Sequence, residues 1–190
     1  MAENVQAAFE AGLAPQEFID KMTRNQDKFL DWGERFTWMD EAAQSYIAGL
    51  RGNTDVRCLI IAAEWCGDVV RNVPVVLKVT EAAGIDTRML IMEAHLDVID
   101  RFLTYGGRSI PVVLFIDKDG GVISQWGPRP TYVQEPMARF KQDNPDREAP
   151  DYQEKLTAAR AEVVKRYGED TGYQVLIVKE LRDLLEQAVK

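Results

Sequence analysis

Cysteine and histidine are nearly absent from this sequence: Cys58, Cys66 and His95 are the only three in 190 residues. Two cysteines are too few for a disulfide framework at this size. A structural zinc cage needs four Cys/His-type ligands, so counting excludes it. Carboxylate sites for Mg²⁺ or Ca²⁺ survive the count, but neither EF-hand nor P-loop spacing occurs, and no metal or cofactor is expected. Ser-His-Asp chemistry would have to run through His95, with no G-x-S-x-G elbow to support it. Positive charge is also short, with 23 Lys and Arg against 31 Asp and Glu and a net charge of −8. Without a long basic run, a nucleic-acid partner is not expected. The longest apolar stretches, Cys58 to Ala63 and Ile110 to Ile116, fall far below the roughly 18–20 residues that cross a bilayer, so no membrane partner is expected either. Met1-Ala2-Glu3-Asn4 has neither the basic start nor the apolar core of a signal peptide. The expectation is a soluble, cytoplasmic protein.

What is present is a core-forming chain, 46% hydrophobic. Residues 4–50 read as helical: Pro15 suits a first helical position, and Phe18, Ile19, Met22, Phe29 and Leu30 recur at helical spacing. Asp40 is an N-cap candidate for a helix running through Tyr46 and Ile47 to Gly52. Gly52-Asn53-Thr54-Asp55 is a turn cluster and the expected boundary. From Val56 to Ala62 a short apolar run predicts a strand covered on both faces. A helix is predicted from Gly67 to Ala83, ending at Gly84, then a strand from Thr87 to Met92 and a helix from Leu96 to Thr104. Ile110 to Ile116 is a further strand, and Asp117-Lys118-Asp119-Gly120-Gly121 is a hairpin signal returning as Val122 to Trp126. Beyond Gly127 the chain is helical again, with Pro128-Arg129-Pro130 as a rigid connection and a polar loop from Asp143 to Pro150. Thr171 with Gln174 forms a capping box ahead of Val178, Leu181, Leu184 and Leu185 on one helical face. The fold class is α/β, one domain with a helical extension at 1–53, a core at 54–127 and a second helical extension at 128–190.

Chemistry concentrates at Ala63-Glu64-Trp65-Cys66-Gly67-Asp68. Cys66 falls where a buried strand ends and a helix begins, and there the unpaired amides and the macrodipole favour a thiolate. Asp68 opposes them, because a nearby carboxylate disfavours a second negative charge. The expectation is an exposed, moderately reactive Cys66. Asp68 is a candidate general base or proton shuttle, or simply a complement to the helix dipole. Arg129 is a candidate contact for an anion or a glutathione carboxylate through its fork geometry, or a salt bridge pinning the C-terminal helices. His95, at a helix start, reads as a surface or capping residue. Trp32, Trp38 and Trp126 either line a pocket or pack between elements.

The run Ala-Glu-Trp-Cys-Gly at 63–67 resembles the active-site region of thioredoxins. Pro74, eight residues after Cys66, matches the proline inside the thioredoxin active-site helix, and Ile110-Pro111 matches the cis-proline that faces the active-site cysteine. The hairpin at Asp119-Gly120 and the later Gly127 match the closing strands. The resemblance spans Val56 to Gly127 and implies a thioredoxin-like fold, a mixed central sheet flanked by helices. The helical flanks, Gly-Pro-Arg-Pro at 127–130 and Trp-Cys-Gly-Asp at 65–68 are similar to a bacterial branch of that superfamily. Two departures bear on activity. The second thioredoxin cysteine would fall at Val69, and the buried carboxylate six residues before the first at Ile60. Ordinary dithiol disulfide reduction is therefore not expected.

Cys58 does not replace the missing thiol. Extended chain from Cys58 toward Cys66 covers about 17–20 Å at roughly 3.3 Å per residue, against the roughly 7 Å a disulfide tolerates. Cys58 reads as a core cysteine. Two functions remain open. One is single-cysteine thiol-disulfide exchange at Cys66 with an external resolving thiol, with Trp65, Gly67, Asp68, Ile110 and Pro111 as the active-site neighbourhood. Its partner would be a protein or low-molecular-weight thiol or disulfide. The other is a redox-inactive module that binds a protein or peptide in the same groove.

Overall fold

The computed structural model describes residues 3–52 and 55–189, so Asn53 and Thr54 of the expected boundary turn lie outside the described residues. Strands β1 (Arg57–Ala62), β2 (Thr87–Ile91), β3 (Val112–Ile116) and β4 (Val122–Trp126) form a sheet in the order β2-β1-β3-β4. β1 runs parallel to β2 and antiparallel to β3, and β3 runs antiparallel to β4, so the sheet is mixed. Cys58 to Ala62 and Val112 to Ile116 are wholly buried, because a central strand with helices on both faces has no solvent side and cannot alternate. β4 lies at the edge and does alternate, with Ile123 exposed and Trp126 buried.

Helix α5 (Gly67–Ala83) starts one residue past Cys66 and stops at Gly84, with Pro74 inside it. Its valines at 69, 70, 73, 75, 76 and 79 are buried. Helices α3 (Gln26–Glu34), α4 (Glu41–Gly49) and α9 (Gln174–Ala188) pack on α5, so both ends of the chain cover the same crossover helix. Asp40 caps α4, its Oδ1 accepting from the Ala43 amide at 2.9 Å. Such a cap is worth about 1 kcal/mol.

The N-terminal segment also closes the sheet's exposed edges. Leu13 exchanges two backbone hydrogen bonds with Met89 of β2, at 2.9 and 2.8 Å. Before helix α1 (Gln6–Ala11), the Val5 amide donates to Gly120 of the β3–β4 hairpin. At Gly120, with φ +85°, an added Cβ would sit 2.6 Å from the Gln6 backbone nitrogen. Glycine is required there by both turn and contact. Covering an edge in this way removes unpaired strand groups that would otherwise template aggregation.

Three expectations need correction. Residues 4–50 are broken by extended stretches into α1, α2 (Pro15–Lys21), α3 and α4, because Leu13 is taken up by strand pairing and the 22–25 loop by Glu64. The helix expected from Leu96 to Thr104 is only α6 (Leu96–Ile99). Past it the chain turns, with Thr104 and Gly107 bridging and Tyr105 at φ +50°. The Thr171–Gln174 capping box does not form: Tyr173 holds the N-cap position of α9, and the Gln174 side chain is buried, its Nε2 donating to the Trp32 carbonyl at 3.2 Å. Val178, Leu181 and Leu185 are buried on one face of α9, with Leu184 half-buried.

Candidate functional site

Cys66 is the N-cap residue of α5, with extended backbone at φ −82° and ψ 120°. Its thiol donates to the Ile110 carbonyl at 3.5 Å. The Ile110–Pro111 bond is cis, as is Gly127–Pro128. Gly127 passes so close to this loop that a Cβ, at its φ of +112°, would lie 2.2 Å from the Pro111 oxygen. The chain leaving β4 therefore backs the Pro111 loop only because residue 127 has no side chain. Trp65 is exposed and its indole N–H donates to the Glu93 carboxylate, while Gly67 is exposed beside the cysteine.

The thiol differs from its expected state. Cys66 is half-buried, and burial pushes its pKa above the ordinary thiol value. The Asp68 charge pushes the same way, while the Val69 and Asp68 amides and the Arg129 guanidinium pull it down. Desolvation outweighs the helix terminus here, because a partly enclosed anion loses more hydration than the amides return.

Asp68 and Arg129 form a bidentate pair, Nε to Oδ1 at 2.9 Å and Nη2 to Oδ2 at 2.6 Å, with side-chain exposures of only 16% and 18%. Asp68 Oδ1 also accepts from the Tyr167 hydroxyl at 2.8 Å, and that hydroxyl accepts from Asn72 Nδ2 at 2.7 Å. Arg129 Nη1 donates to Gln134 at 2.7 Å. Burial and the Asp68 charge raise the pKa of Tyr167 strongly, so it is a neutral donor at physiological pH. Arg129 thus serves as the salt bridge and ties the start of α5 to helix α7 (Thr131–Asp143) through Gln134, while Tyr167 ties it to helix α8 (Tyr152–Tyr167).

On the other side of Cys66, Glu64 holds the N-terminal loop. Its carboxylate accepts from the Thr23 amide, from the Thr23 hydroxyl at 2.8 Å and from the Arg24 amide at 3.2 Å, while its carbonyl accepts from Asn25 Nδ2 at 3.0 Å. The Thr23 hydroxyl and amide hold the Glu64 carboxyl below the usual carboxylate range. Glu64, Asn72 and Tyr167 were not singled out by sequence pattern. Their partners lie 39 to 99 residues away in the chain, and no local spacing signals such pairs.

Cys58 is fully buried between Thr87 and Phe115, and burial raises its thiol far above the ordinary value. Val69 and Ile60 are also fully buried, so the positions of the missing thiol and missing carboxylate are filled by core side chains. His95 occupies the N-cap position of α6, half-buried, and its side chain makes no cap hydrogen bond. Trp126 is buried with its N–H donating to Glu180 at 2.7 Å. Trp32 meets Tyr173 edge-on at 5.7 Å and Trp38 meets Phe36 at 5.2 Å. A concavity of about 630 Å³, lined by Phe29, Leu30, Pro74 and Leu77, does not include Cys66 or its neighbours. Among the described residues no group of three or more His, Cys, Asp or Glu is placed to hold a metal, and no helix is long and apolar enough to cross a membrane.

Two solved structures share this architecture over nearly their whole length. One is a protein of unknown function from Pseudomonas aeruginosa, at TM-score 0.66 and 14% identity. The other is an HIV epitope scaffold, at TM-score 0.68 and 15% identity. Each match covers 97% of this chain and 98% of the other, and at such identity each shows the fold alone. No curated protein matches the sequence. A family model described as thioredoxin matches residues 12–144, a span that takes in the N-terminal helices as well as the sheet and Cys66, and the chain belongs to that thioredoxin family.

Proposed function

We propose that the protein carries out single-cysteine thiol-disulfide exchange at Cys66, with a resolving thiol supplied from outside. The observation that carries this is the cysteine at the N-terminus of α5 facing the Ile110–Pro111 loop, with no second thiol in reach. The Cys66 thiolate attacks one sulfur of a disulfide, a new S–S bond forms, and the other half leaves as a thiolate. An external thiolate then attacks the mixed disulfide and releases Cys66, while a second external thiol completes the two-electron reduction of the original disulfide. A glutathione-class thiol in the cytoplasm fits that requirement. The Trp-Cys-Gly-Asp motif at 65–68 supports placement in the bacterial single-cysteine branch.

Burial of the thiol favours a second reading, a redox-inactive module that binds an extended peptide along the Ile110–Pro111 loop. One experiment separates the two. Native Cys58→Ala protein is exposed to oxidised glutathione across pH 7–10 and followed by intact mass. A mixed disulfide on Cys66 that forms faster as pH rises, and is reversed by reduced glutathione, is the expected result. Modification only after unfolding would overturn the exchange reading and leave the binding module.

A further inference from the structure

A cleft of about 470 Å³ opens beside Cys66. Gly67 and Asp68, which follow the cysteine, and Ser109, which precedes Ile110, line one end of it, so the cleft reaches the chain neighbours of the Cys66–Ile110 contact while Cys66 and Ile110 themselves lie outside its lining. Helices α7 and α8 close its far side with Met137, Leu156 and Val163. The volume lies within the range of small-molecule sites, about 300–1,000 Å³.

Its charge runs against that of the whole protein. The chain carries net charge −8, yet the cleft is lined by Arg71, Arg129, Lys141 and Arg160 with Asp68 as its only carboxylate. Asp68 and Arg129 neutralise each other. The other three cations form no ion pair among the described residues. Arg71 lies over the Trp32 and Tyr167 rings at 4.6 and 5.0 Å and donates to the Gly168 carbonyl, while Lys141 donates to the Tyr152 hydroxyl at 2.8 Å. Arg160 is exposed on α8. Three unneutralised cations in a concavity with partly apolar walls concentrate an attractive field for anions, and guanidinium forks match carboxylates in shape.

We propose that this cleft is a subsite for the carboxylates of a small anionic disulfide, holding it with one sulfur presented to Cys66. The inference rests on the exchange reading above and adds the substrate's charge and size. The half held by Arg71, Lys141 and Arg160 stays on Cys66 as the mixed disulfide. The S–S bond breaks, and the other half departs as its thiolate.

The test measures mixed-disulfide formation on Cys66 in Cys58→Ala protein at low ionic strength, with each rate divided by that of a free small thiol. Oxidised glutathione, neutral 2-hydroxyethyl disulfide and cationic cystamine are the probes. The expected order is anionic over neutral over cationic. Arg160→Glu is expected to slow the anionic probe about tenfold, roughly the effect of losing one charge contact, and to leave the neutral probe within about twofold. Equal normalised rates for the three probes, or equal slowing of all of them in Arg160→Glu, would overturn the subsite. A second measurement needs no exchange: S-methylglutathione titrated into Cys66→Ser protein by NMR. Shifts at Gly67, Ser109 and Lys141 that vanish in Arg160→Glu support the subsite even if no disulfide reacts. Absence of such shifts, with disulfides reacting regardless of charge, overturns the subsite and leaves the exchange reading standing.

Discussion

The two carboxylates that flank Cys66 are held in opposite ways. Glu64 is half-buried and its carboxylate binds the exposed Thr23 and Arg24 at the surface; four hydrogen bonds to residue 64, two of them from backbone amides, tie it to residues 23–25. Asp68 is largely enclosed and faces a guanidinium and a phenol. One side of the cysteine is therefore latched to the N-terminal part of the chain and the other to the C-terminal part. The enclosed latch contributes more to stability if it is broken from one side only, since removing one partner strands a charge with little water, whereas water replaces much of what the surface latch loses.

Arg129→Ala is the strongest way to sharpen this contrast. It leaves Asp68 enclosed without its counter-ion, and a loss of about 2–3 kcal/mol is expected, read as a melting temperature lower by roughly 5–10 °C. Asp68→Asn in the same background should recover part of the loss in a double-mutant cycle, and additive effects would show that the pair is not coupled. Tyr167→Phe removes the donor to Asp68 and the acceptor for Asn72 Nδ2, and about 1–2 kcal/mol of destabilisation by urea titration is expected. Glu64→Gln on the surface latch should cost about 0.5–1 kcal/mol, with faster hydrogen exchange confined to the Thr23 and Arg24 amides.

The latches also differ in their response to pH. The folded-state pKa of Glu64 is depressed, so its contribution is present above the ordinary carboxylate pKa and is lost as pH falls through the lower, folded value. Acid should thus release the Thr23 and Arg24 amides, and Glu64→Gln should remove that pH dependence. Cys66 has the opposite sign: its raised pKa favours the folded state below the ordinary thiol value, and that contribution is lost as pH rises through the folded value. The smallest expected effect is on its alkylation profile. Asp68→Asn moves the inflection down by removing the opposing charge, and Arg129→Gln moves it up. Inflections unmoved by either change would show that the enclosed latch does not reach the thiol.

Much of the frame was legible from residue order. Continuous apolar runs marked β1 and β3 because strands covered on both faces need no polar side, and Gly84 marked the end of α5. Ala63 to Asp68 marked the cysteine's place at a strand-to-helix junction. The Thr171–Gln174 pattern misled because burying Gln174 against Trp32 outweighed a local cap. The partners of Asp68 were out of reach of spacing, since Arg129 and Tyr167 lie 61 and 99 residues along the chain.

The sequence by itself determined which segments are strands, where Cys66 stands, and that Val69 and not a second thiol follows it three residues on, because those follow from short-range periodicity and residue order. Only the tertiary structure decided the state of the thiol and the charge around it. Desolvation and through-space charge depend on what packs nearby, and here both ends of the chain pack against the residues on either side of one cysteine.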